Sequence, residues 1–195
     1  MSTKPSRAVP LIFQLKVTLK DSNPPIWRKV QVPSDMTLSQ LHDTLQIAVG
    51  WGDCYLHQFI VGTTRYSSDE LVAFHEGHLP ETACALNQIA TGKGYTFTYD
   101  YGLNTAAPTV WVYTIVIEKI LIPNLERSYP RCLSGQRACP VERIGQIEHY
   151  KAHLKAVHGD SSAARWVINE RMRREFDPER FDPRAVNRQL QGVLH

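Results

Sequence analysis

The chain has 195 residues, of which 43% are hydrophobic and 21% charged, a balance that supports a folded core and excludes extended disorder. No apolar run approaches the roughly 20 residues that a membrane-spanning helix needs, the first ten residues lack a signal-peptide core, and four scattered cysteines fit a reducing compartment. We therefore expect a cytoplasmic protein that has no membrane partner. The net charge of +3 does not by itself indicate a particular kind of partner.

The first part of the chain is predicted to form strands packed against one helix. Residues 11–20 alternate apolar and polar side chains as a half-buried strand does, and residues 26–32 resume the alternation after the turn DSNPP. Thr37 and Gln40 have the spacing of a capping box, and the helix that they open is expected to end at Gly50. This helix should cover the apolar face of the hairpin.

More strands are predicted between residues 55 and 121. We expect strands at 55–61, 63–66, 95–101 and 109–121, and irregular structure with one short strand in 67–94. The segment VWVYTIVIEKI is apolar on both sides, which predicts a strand in mid-sheet with both faces covered. One face of strand 95–101 is aromatic, and we expect the C-terminal helices to bury it; stacking on nucleic-acid bases is the alternative.

Helical patterns follow residue 123. Helices are predicted at 147–157, ended by Gly159, at 163–174, and from Asp182-Pro183 to about Leu190. The fold class is therefore α+β, with a ubiquitin-like (β-grasp-like) sheet around one helix and C-terminal helices packed on it. We expect a flexible segment at 1–10, a sheet core at 11–122, and a cysteine-containing loop with helices at 123–195 in the same domain.

Six segments, in this order, resemble the plasmid pRiA4b Orf-3-like family over nearly the whole chain. The segments are LKVTLKDSNPPIWRKVQVPSDMTLSQLHDTLQIAVGW, HQF, YDYG, W-x6-EKI, YPRCLSGQRACPVE and FDPERFDPRAVNRQL. The resemblance implies an α+β protein of bacteria and plasmids, often carried in mobile elements, whose biochemical role is largely unassigned. Relatives commonly have histidine, cysteine or aspartate at four positions where this chain has Tyr55, Thr109, Tyr113 and Ile144.

The cysteine loop is the first candidate for a metal site. Cys132 and Cys139, followed by His149 and His153 one helical turn apart, form a conceivable four-ligand set for zinc. Six residues between the cysteines are many for a zinc knuckle, so structural cysteines are preferred, and a disulfide ranks behind both because the compartment is expected to be reducing. No other cofactor is indicated.

The remaining candidates are one histidine and a group of arginines. His57 on a predicted strand is expected to be a core-edge group; to act as a general base it would need a carboxylate such as Asp53 or Asp100. The last 75 residues hold 13 basic and 9 acidic side chains, and the candidate binding arginines there are Arg165, Arg171, Arg173 and Arg174.

No nucleotide-binding, metalloprotease or serine-hydrolase motif is present. The sequence therefore favours a non-enzymatic binding or scaffold protein with an unknown protein partner. Nucleic-acid binding through the C-terminal arginines, and a small metal-binding protein or hydrolase that uses His57 or the cysteine loop, remain as alternatives.

Overall fold

The computed structural model describes residues 9–103, 110–142, 146–157 and 176–192. Their strands form one eight-stranded sheet in the order β5-β4-β3-β6-β7-β1-β2-β8, in which all neighbours are antiparallel except the pair β4 and β5. The strands are β1 (Ile12–Leu19), β2 (Trp27–Pro33), β3 (His57–Val61), β4 (Thr64–Ser67), β5 (His78–Pro80), β6 (Thr96–Tyr101), β7 (Trp111–Leu121) and β8 (Arg131–Gln136).

Five α-helices are described beside the sheet. They are α1 (Leu38–Val49), α2 (Asp69–Phe74), α3 (Leu86–Ile89), α4 (Ile147–Val157) and α5 (Pro183–Leu190), with a 3-10 turn at Glu81–Ala83. None of the described helices has the length and apolar content that crossing a bilayer requires. The α+β class is confirmed, whereas the narrower ubiquitin-like assignment stays a prediction.

Helix α1 forms where the capping signals predict it. The Thr37 side chain accepts a hydrogen bond from the Gln40 amide, the Gln40 side chain accepts one from the Thr37 amide, and Gly50 ends the helix at φ +83°. The core lies between this helix and one face of the sheet, because α1 buries an apolar stripe against the inward side chains of the central strands. The stripe consists of Leu38, Leu41, Leu45, Ala48 and Val49.

Three sequence predictions about the sheet are wrong in part. Strand β7 lies in mid-sheet between β6 and β1, but only one of its faces is fully buried, because its side chains alternate between buried and half-buried. The segment Arg131–Gln136, expected to be a loop, pairs with β2 as a strand. The aromatic face of β6 is covered at Tyr99 by α1 rather than by C-terminal helices, since its hydroxyl contacts side chains of α1.

Arg28 of β2 joins the sheet to the end of the chain. Its guanidinium is buried and donates to the carbonyl oxygens of Ala48 (2.9 Å) and Gln136 (3.1 Å) and to the Cys139 sulfur (3.2 Å). The Phe181 ring lies 4.0 Å from the guanidinium carbon, a distance suited to a cation–π contact. One buried cation thus fixes α1, the cysteine loop and the segment before α5.

Helix α5 is held against β8 by one side-chain amide. Asn187 accepts a hydrogen bond from the Cys132 amide (2.7 Å) and donates one to the Cys132 carbonyl (2.8 Å). Asp182 caps the helix by accepting from the Arg184 amide, with proline at the first helical position. The predicted terminal helix is therefore confirmed. The predicted helix at 163–174 and the stop at Gly159 lie outside the described residues.

Candidate metal centre

Three potential metal ligands converge beside α1. His42 lies on α1, Asp53 in the loop that follows the helix, and His57 at the start of β3, and one ligand atom from each lies within 4.8 Å of the others. The imidazole rings stack at 3.5 Å with 5° between their planes. This is the one such group of three or more histidine, cysteine or acidic side chains in the described part of the chain.

Helical and strand periodicity explain why the histidines meet. His42 comes four residues after Leu38 and therefore falls on the buried stripe of α1. His57 and Phe59 alternate with Gln58 along β3, so both point toward the helix side of the sheet. The crossing of α1 over β3 then brings the two rings together.

Buried partners orient both imidazoles. Nδ1 of His42 lies 2.8 Å from the Tyr99 hydroxyl, which also accepts a hydrogen bond from the Gln46 side chain at 2.8 Å. Nε2 of His57 lies 2.8 Å from a carboxylate oxygen of Glu81, itself almost fully buried. Metal-binding histidines characteristically use their second ring nitrogen in this way, because the outer partner fixes the tautomer and the ring orientation.

The loop that carries Asp53 is held in an unusual backbone conformation. Asp53 has φ +53°, a left-handed value that costs energy for most side chains other than glycine, asparagine and aspartate. Its amide donates to the Gln46 side chain (3.2 Å), and Glu142 accepts hydrogen bonds from the amides of Gly52 (3.1 Å) and Cys54 (3.0 Å). Glu142 therefore acts as a clamp that places the Asp53 carboxylate.

The Glu142 clamp is itself fixed by a phenol. The Tyr101 hydroxyl donates to the same carboxylate oxygen that accepts from the Cys54 amide. Partial burial acts to raise the pKa of Glu142, but the hydrogen bond from Tyr101 and those from the loop amides outweigh it, so the pKa is lowered. Burial, followed by the bond to the Glu142 carboxylate, raises the pKa of Tyr101. The clamp therefore stays anionic and the phenol stays neutral at neutral pH.

His42 is neutral at neutral pH. Burial, followed by repulsion from His57, lowers its pKa from 6.5 to about 4, although the Asp53 carboxylate opposes the change. Its Nε2 atom lies 3.0 Å from Oδ1 of Asp53. The approach lacks the direction of a hydrogen bond, however, and this nitrogen has no hydrogen-bond partner in the described part of the chain. Burial thus keeps the imidazole neutral and leaves its Nε2 atom without a hydrogen-bond partner among the described residues.

A cavity of about 400 Å³ opens next to the ligand group. The side chains of His42 and His57 are only 5% and 7% exposed, whereas that of Asp53 is 56% exposed. The group is therefore closed on the histidine side and open on the aspartate side. The described residues that line the cavity are 53–57, Ser68 and Glu70.

Comparisons with known proteins place the chain in a family. The family model described as plasmid pRiA4b ORF-3-like protein matches residues 11–185. The chain belongs to this family. One sequence relative of this pRiA4b ORF-3-like chain is the uncharacterized protein y4hQ of Sinorhizobium fredii. The two are 29% identical over 150 residues, and the match covers 75% of this chain and 73% of the relative.

A solved structure shares the fold of this pRiA4b ORF-3-like chain. The crystal structure of protein of unknown function MM3350 from Methanosarcina mazei Go1 superimposes with a TM-score of 0.75 at 25% identity, over 92% of this chain and 98% of that one. The family resemblance seen in the sequence is confirmed, and the two relatives carry names that state no activity.

His57 belongs to the centre, but with a partner that the sequence did not suggest. Glu81 contacts its ring, whereas Asp53 contacts His42 and Asp100 accepts a hydrogen bond from Gln58. The burial of His57 agrees with the expectation of a core-edge histidine, which did not include the contact with Glu81. Tyr55, at a position where the family resemblance leads one to expect histidine, lines the cavity.

The cysteine loop does not assemble the predicted zinc ligands. No three of Cys132, Cys139, His149 and His153 bring ligand atoms within 4.8 Å of one another in the described structure. All four cysteines of the chain are free. Burial raises the pKa of the Cys132 thiol to about 11 and also raises that of Cys139, so both remain protonated, as structural thiols do.

The other predicted binding residues fall beyond the described structure. The undescribed segment 158–175 contains Arg165, Arg171, Arg173 and Arg174. Two further undescribed segments, 104–109 and 143–145, contain Thr109 and Ile144. Two residues of the centre, His42 and Glu81, were not identified from the sequence. His42 could have been identified, because a histidine on the apolar stripe of a predicted helix is expected to be buried. Glu81 could not, because it lies in a segment without clear periodicity.

Proposed function

We propose that the protein binds a divalent transition-metal ion through His42, Asp53 and His57. The observation that carries the proposal is the buried Nε2 of His42, which approaches Asp53 Oδ1 to 3.0 Å without a hydrogen bond. Donor atoms about 2.1 Å from a shared ion lie roughly 3 to 4 Å apart. An ion bound by His42 Nε2 and Asp53 Oδ1 satisfies both atoms, and the His57 ring, which stacks parallel to that of His42 at 3.5 Å, must turn for its own nitrogen to join them.

The donor set supports a transition metal over a hard cation. Two imidazoles and one carboxylate suit Zn²⁺ and the neighbouring first-row ions, whereas Ca²⁺ and Mg²⁺ prefer oxygen donors. The depressed pKa of His42 leaves its imidazole neutral, as metal coordination requires. Tyr99 and Glu81 complete the site by holding the rings from behind.

The scaffold and nucleic-acid-binding roles expected from the sequence rest on the arginines of segment 158–175, outside the described residues. We therefore prefer a metal-binding function to these two roles, because the described residues make the contacts on which it depends. Placement in the cytoplasm, a protein partner and a ubiquitin-like fold remain predictions that this proposal does not require.

The first experiment is metal analysis of protein purified without a histidine tag. We expect about one Zn²⁺ per chain after incubation with Zn²⁺ and gel filtration, and near zero for Asp53→Asn. Asparagine keeps the size of the side chain and tolerates the left-handed backbone at this position, so loss of metal in this variant is not a folding defect. Circular dichroism of both proteins checks that.

Two control variants locate the ion. His75→Ala removes an exposed histidine outside the ligand group, and Cys132→Ser tests the zinc site predicted from the sequence. Both are expected to keep the metal. A chain that binds no Zn²⁺, or one in which Asp53→Asn keeps it and Cys132→Ser loses it, contradicts the proposal.

A further inference from the structure

We propose that a second cavity, between the C-terminal end of α1, residues 138–142 and α5, binds a small organic acid. Its volume is about 660 Å³, which lies in the range that ligand-binding sites commonly have. An acidic group of the ligand meets arginine side chains there, and an apolar body rests on the rest of the wall. None of the three proposed metal ligands lines this cavity, so this site and the metal centre are tested independently.

The wall of the cavity offers apolar surface to a ligand. Several of its large apolar side chains pack against the core and are only partly buried, so part of each remains open to solvent. Covering such surface with the apolar part of a ligand is favourable, because it removes apolar area from water on both sides. These partly buried lining residues are Ile47, Trp51, Val141, Phe176, Phe181 and Val186.

Arg28 is a buried cation in this wall without a carboxylate partner. Its side chain belongs to a residue that is 3% exposed, and no carboxylate oxygen of the described residues lies within 4.0 Å of its nitrogen atoms. Its acceptors are neutral, namely three backbone carbonyl groups and the Cys139 sulfur. One carbonyl belongs to the last turn of α1, where the helix dipole offsets only about half a unit of charge. The guanidinium therefore keeps an excess of positive charge, which is costly in a buried position.

Arg28 also retains one hydrogen-bond donor. A guanidinium has five N–H groups, and four of them make the contacts with the carbonyl groups and the sulfur. The fifth, which has no acceptor among the described residues, is on Nη2, the nitrogen that donates to Cys139, and Cys139 itself lines the cavity. An acid oxygen at this point of the wall completes the set with a charge-assisted hydrogen bond, which is stronger than a neutral one.

The other charges of the wall also favour an anion. Arg180 and Arg188 are exposed, line the cavity and form no ion pair with another described residue. The two carboxylates of the wall are already engaged, because Asp182 caps α5 and Glu142 clamps the loop amides. Three arginines and two carboxylates leave the described wall with an excess of positive charge, which attracts acids into the cavity.

Calorimetric titration with a matched series of octyl compounds tests the inference. Octanoate, octan-1-ol and octylamine share an apolar chain and differ in the charge of the head group. We expect about one octanoate per chain, bound about tenfold or more tightly than the alcohol or the amine. Acetate, which lacks the chain, should bind at least about 100-fold more weakly than octanoate. Absence of octanoate binding, or equal affinity for octylamine, overturns the inference.

Variants at the mouth of the cavity separate binding from folding. Arg28 also holds α1 to the sheet, so its substitution changes both. The double variant Arg180→Gln/Arg188→Gln alters only exposed side chains and should weaken octanoate binding by about three- to tenfold. Arg184→Gln removes an exposed arginine of the same helix that does not line the cavity and should bind octanoate as wild type does.

Filling the cavity provides a second, larger effect. Ala185 lines the cavity from α5 and is only partly buried, so Ala185→Trp should occupy the space and abolish octanoate binding. Circular dichroism of this variant is expected to match that of the wild-type protein. An octanoate affinity that neither Ala185→Trp nor the double arginine variant lowers overturns the inference.

The indole N–H signals in an NMR spectrum locate the bound acid. Trp51 lines the cavity and donates its indole N–H to the Pro140 carbonyl at 2.8 Å. Trp27 lies outside the cavity wall, beside the ammonium groups of Lys16 and Lys29. Octanoate should shift the Trp51 signal and leave that of Trp27 unchanged, with Trp51→Phe and Trp27→Phe assigning the two signals. A shift of the Trp27 signal alone places octanoate on the surface lysines and overturns the inference.

Discussion

Burial of His42 makes the stability of the metal-free protein depend on pH. Its pKa is about 4 in the folded chain, against 6.5 for a histidine exposed to solvent. Between these values the unfolded chain binds a proton that the folded chain does not, so the free energy of unfolding falls as the pH decreases from 6.5 toward 4. The contribution amounts to about 3 kcal/mol across that window.

Urea unfolding of the chelator-treated protein at pH 7 and pH 5 measures this effect. Asp53, His57, Glu81 and Tyr99 face the ring, so the comparison needs a variant that removes only the imidazole. His42→Gln should lose less stability between the two pH values than the wild-type protein does. An equal loss in both proteins shows that His42 titrates normally in the folded state.

The carboxylate that contacts His57 could not be predicted from the sequence. Asp100 was a reasonable candidate in the sequence, but Gln58 and Asp100 are directly opposite each other on β3 and β6, while His57 is opposite Tyr101. Side chains alternate between the two faces of a sheet, so Asp100 points away from the histidine. The register excludes this pair, and the register is not known before the sheet is assembled.

The close contact between β8 and the segment before α5 requires glycine at position 135. A Cβ atom there meets the Phe181 ring at 2.6 Å, the Trp27 carbonyl at 2.8 Å and the Arg28 side chain at 2.9 Å. Gly135→Ala should therefore lower the free energy of unfolding by about 1 to 3 kcal/mol, as overpacked positions generally do. Chemical unfolding measures the change.

Gly92 offers the matched control for this substitution. A Cβ atom at Gly92 meets nothing within 4 Å, and its backbone does not require a left-handed φ. Gly92→Ala is expected to leave stability almost unchanged or slightly increased. Similar stabilities for the two alanine variants would show that Phe181 and Arg28 move aside at little cost.

The prediction of elements succeeded where local signals were strong. The capping box and the glycine stop defined α1, and alternation defined β1 and β2, because these patterns arise from neighbouring residues. Strand β8 was missed because its sequence, RCLSGQ, has one fully buried side chain and a turn-like composition. Its strand conformation depends on hydrogen bonds to β2 and on the packing of α5, which are contacts between distant parts of the chain.

Metal binding should stabilise the fold. The ligands come from α1, the following loop and β3, so the site exists only when these parts are assembled. A ligand that binds only the folded state adds about 2.7 kcal/mol at a free concentration 100 times its Kd. Thermal unfolding should show a higher Tm with Zn²⁺ for the wild-type protein and Cys132→Ser, and no rise for Asp53→Asn. An equal rise in Asp53→Asn places the ion elsewhere.

The architecture as a whole was predicted only at the level of class. Sequence patterns indicated strands, one covering helix and C-terminal helices, and this is the α+β arrangement observed. The centre was not predicted as a unit, because it needs α1 to cross β3 and the turn after β5 to bring Glu81 beside His57. His42, Asp53, His57 and Glu81 span 40 positions of the sequence, and no local pattern relates their side chains.

The hydrogen bonds between Asn187 and Cys132 have a consequence for self-association. Strand β8 is the last strand at its end of the sheet, where an exposed backbone would invite a strand from a second molecule to continue the ladder. The Asn187 side-chain amide hydrogen-bonds both the backbone N–H and the backbone C=O of Cys132, and so holds α5 over the strand. At the opposite end, β5 is only three residues long. Both margins of the sheet are thus poor templates for growth into filaments.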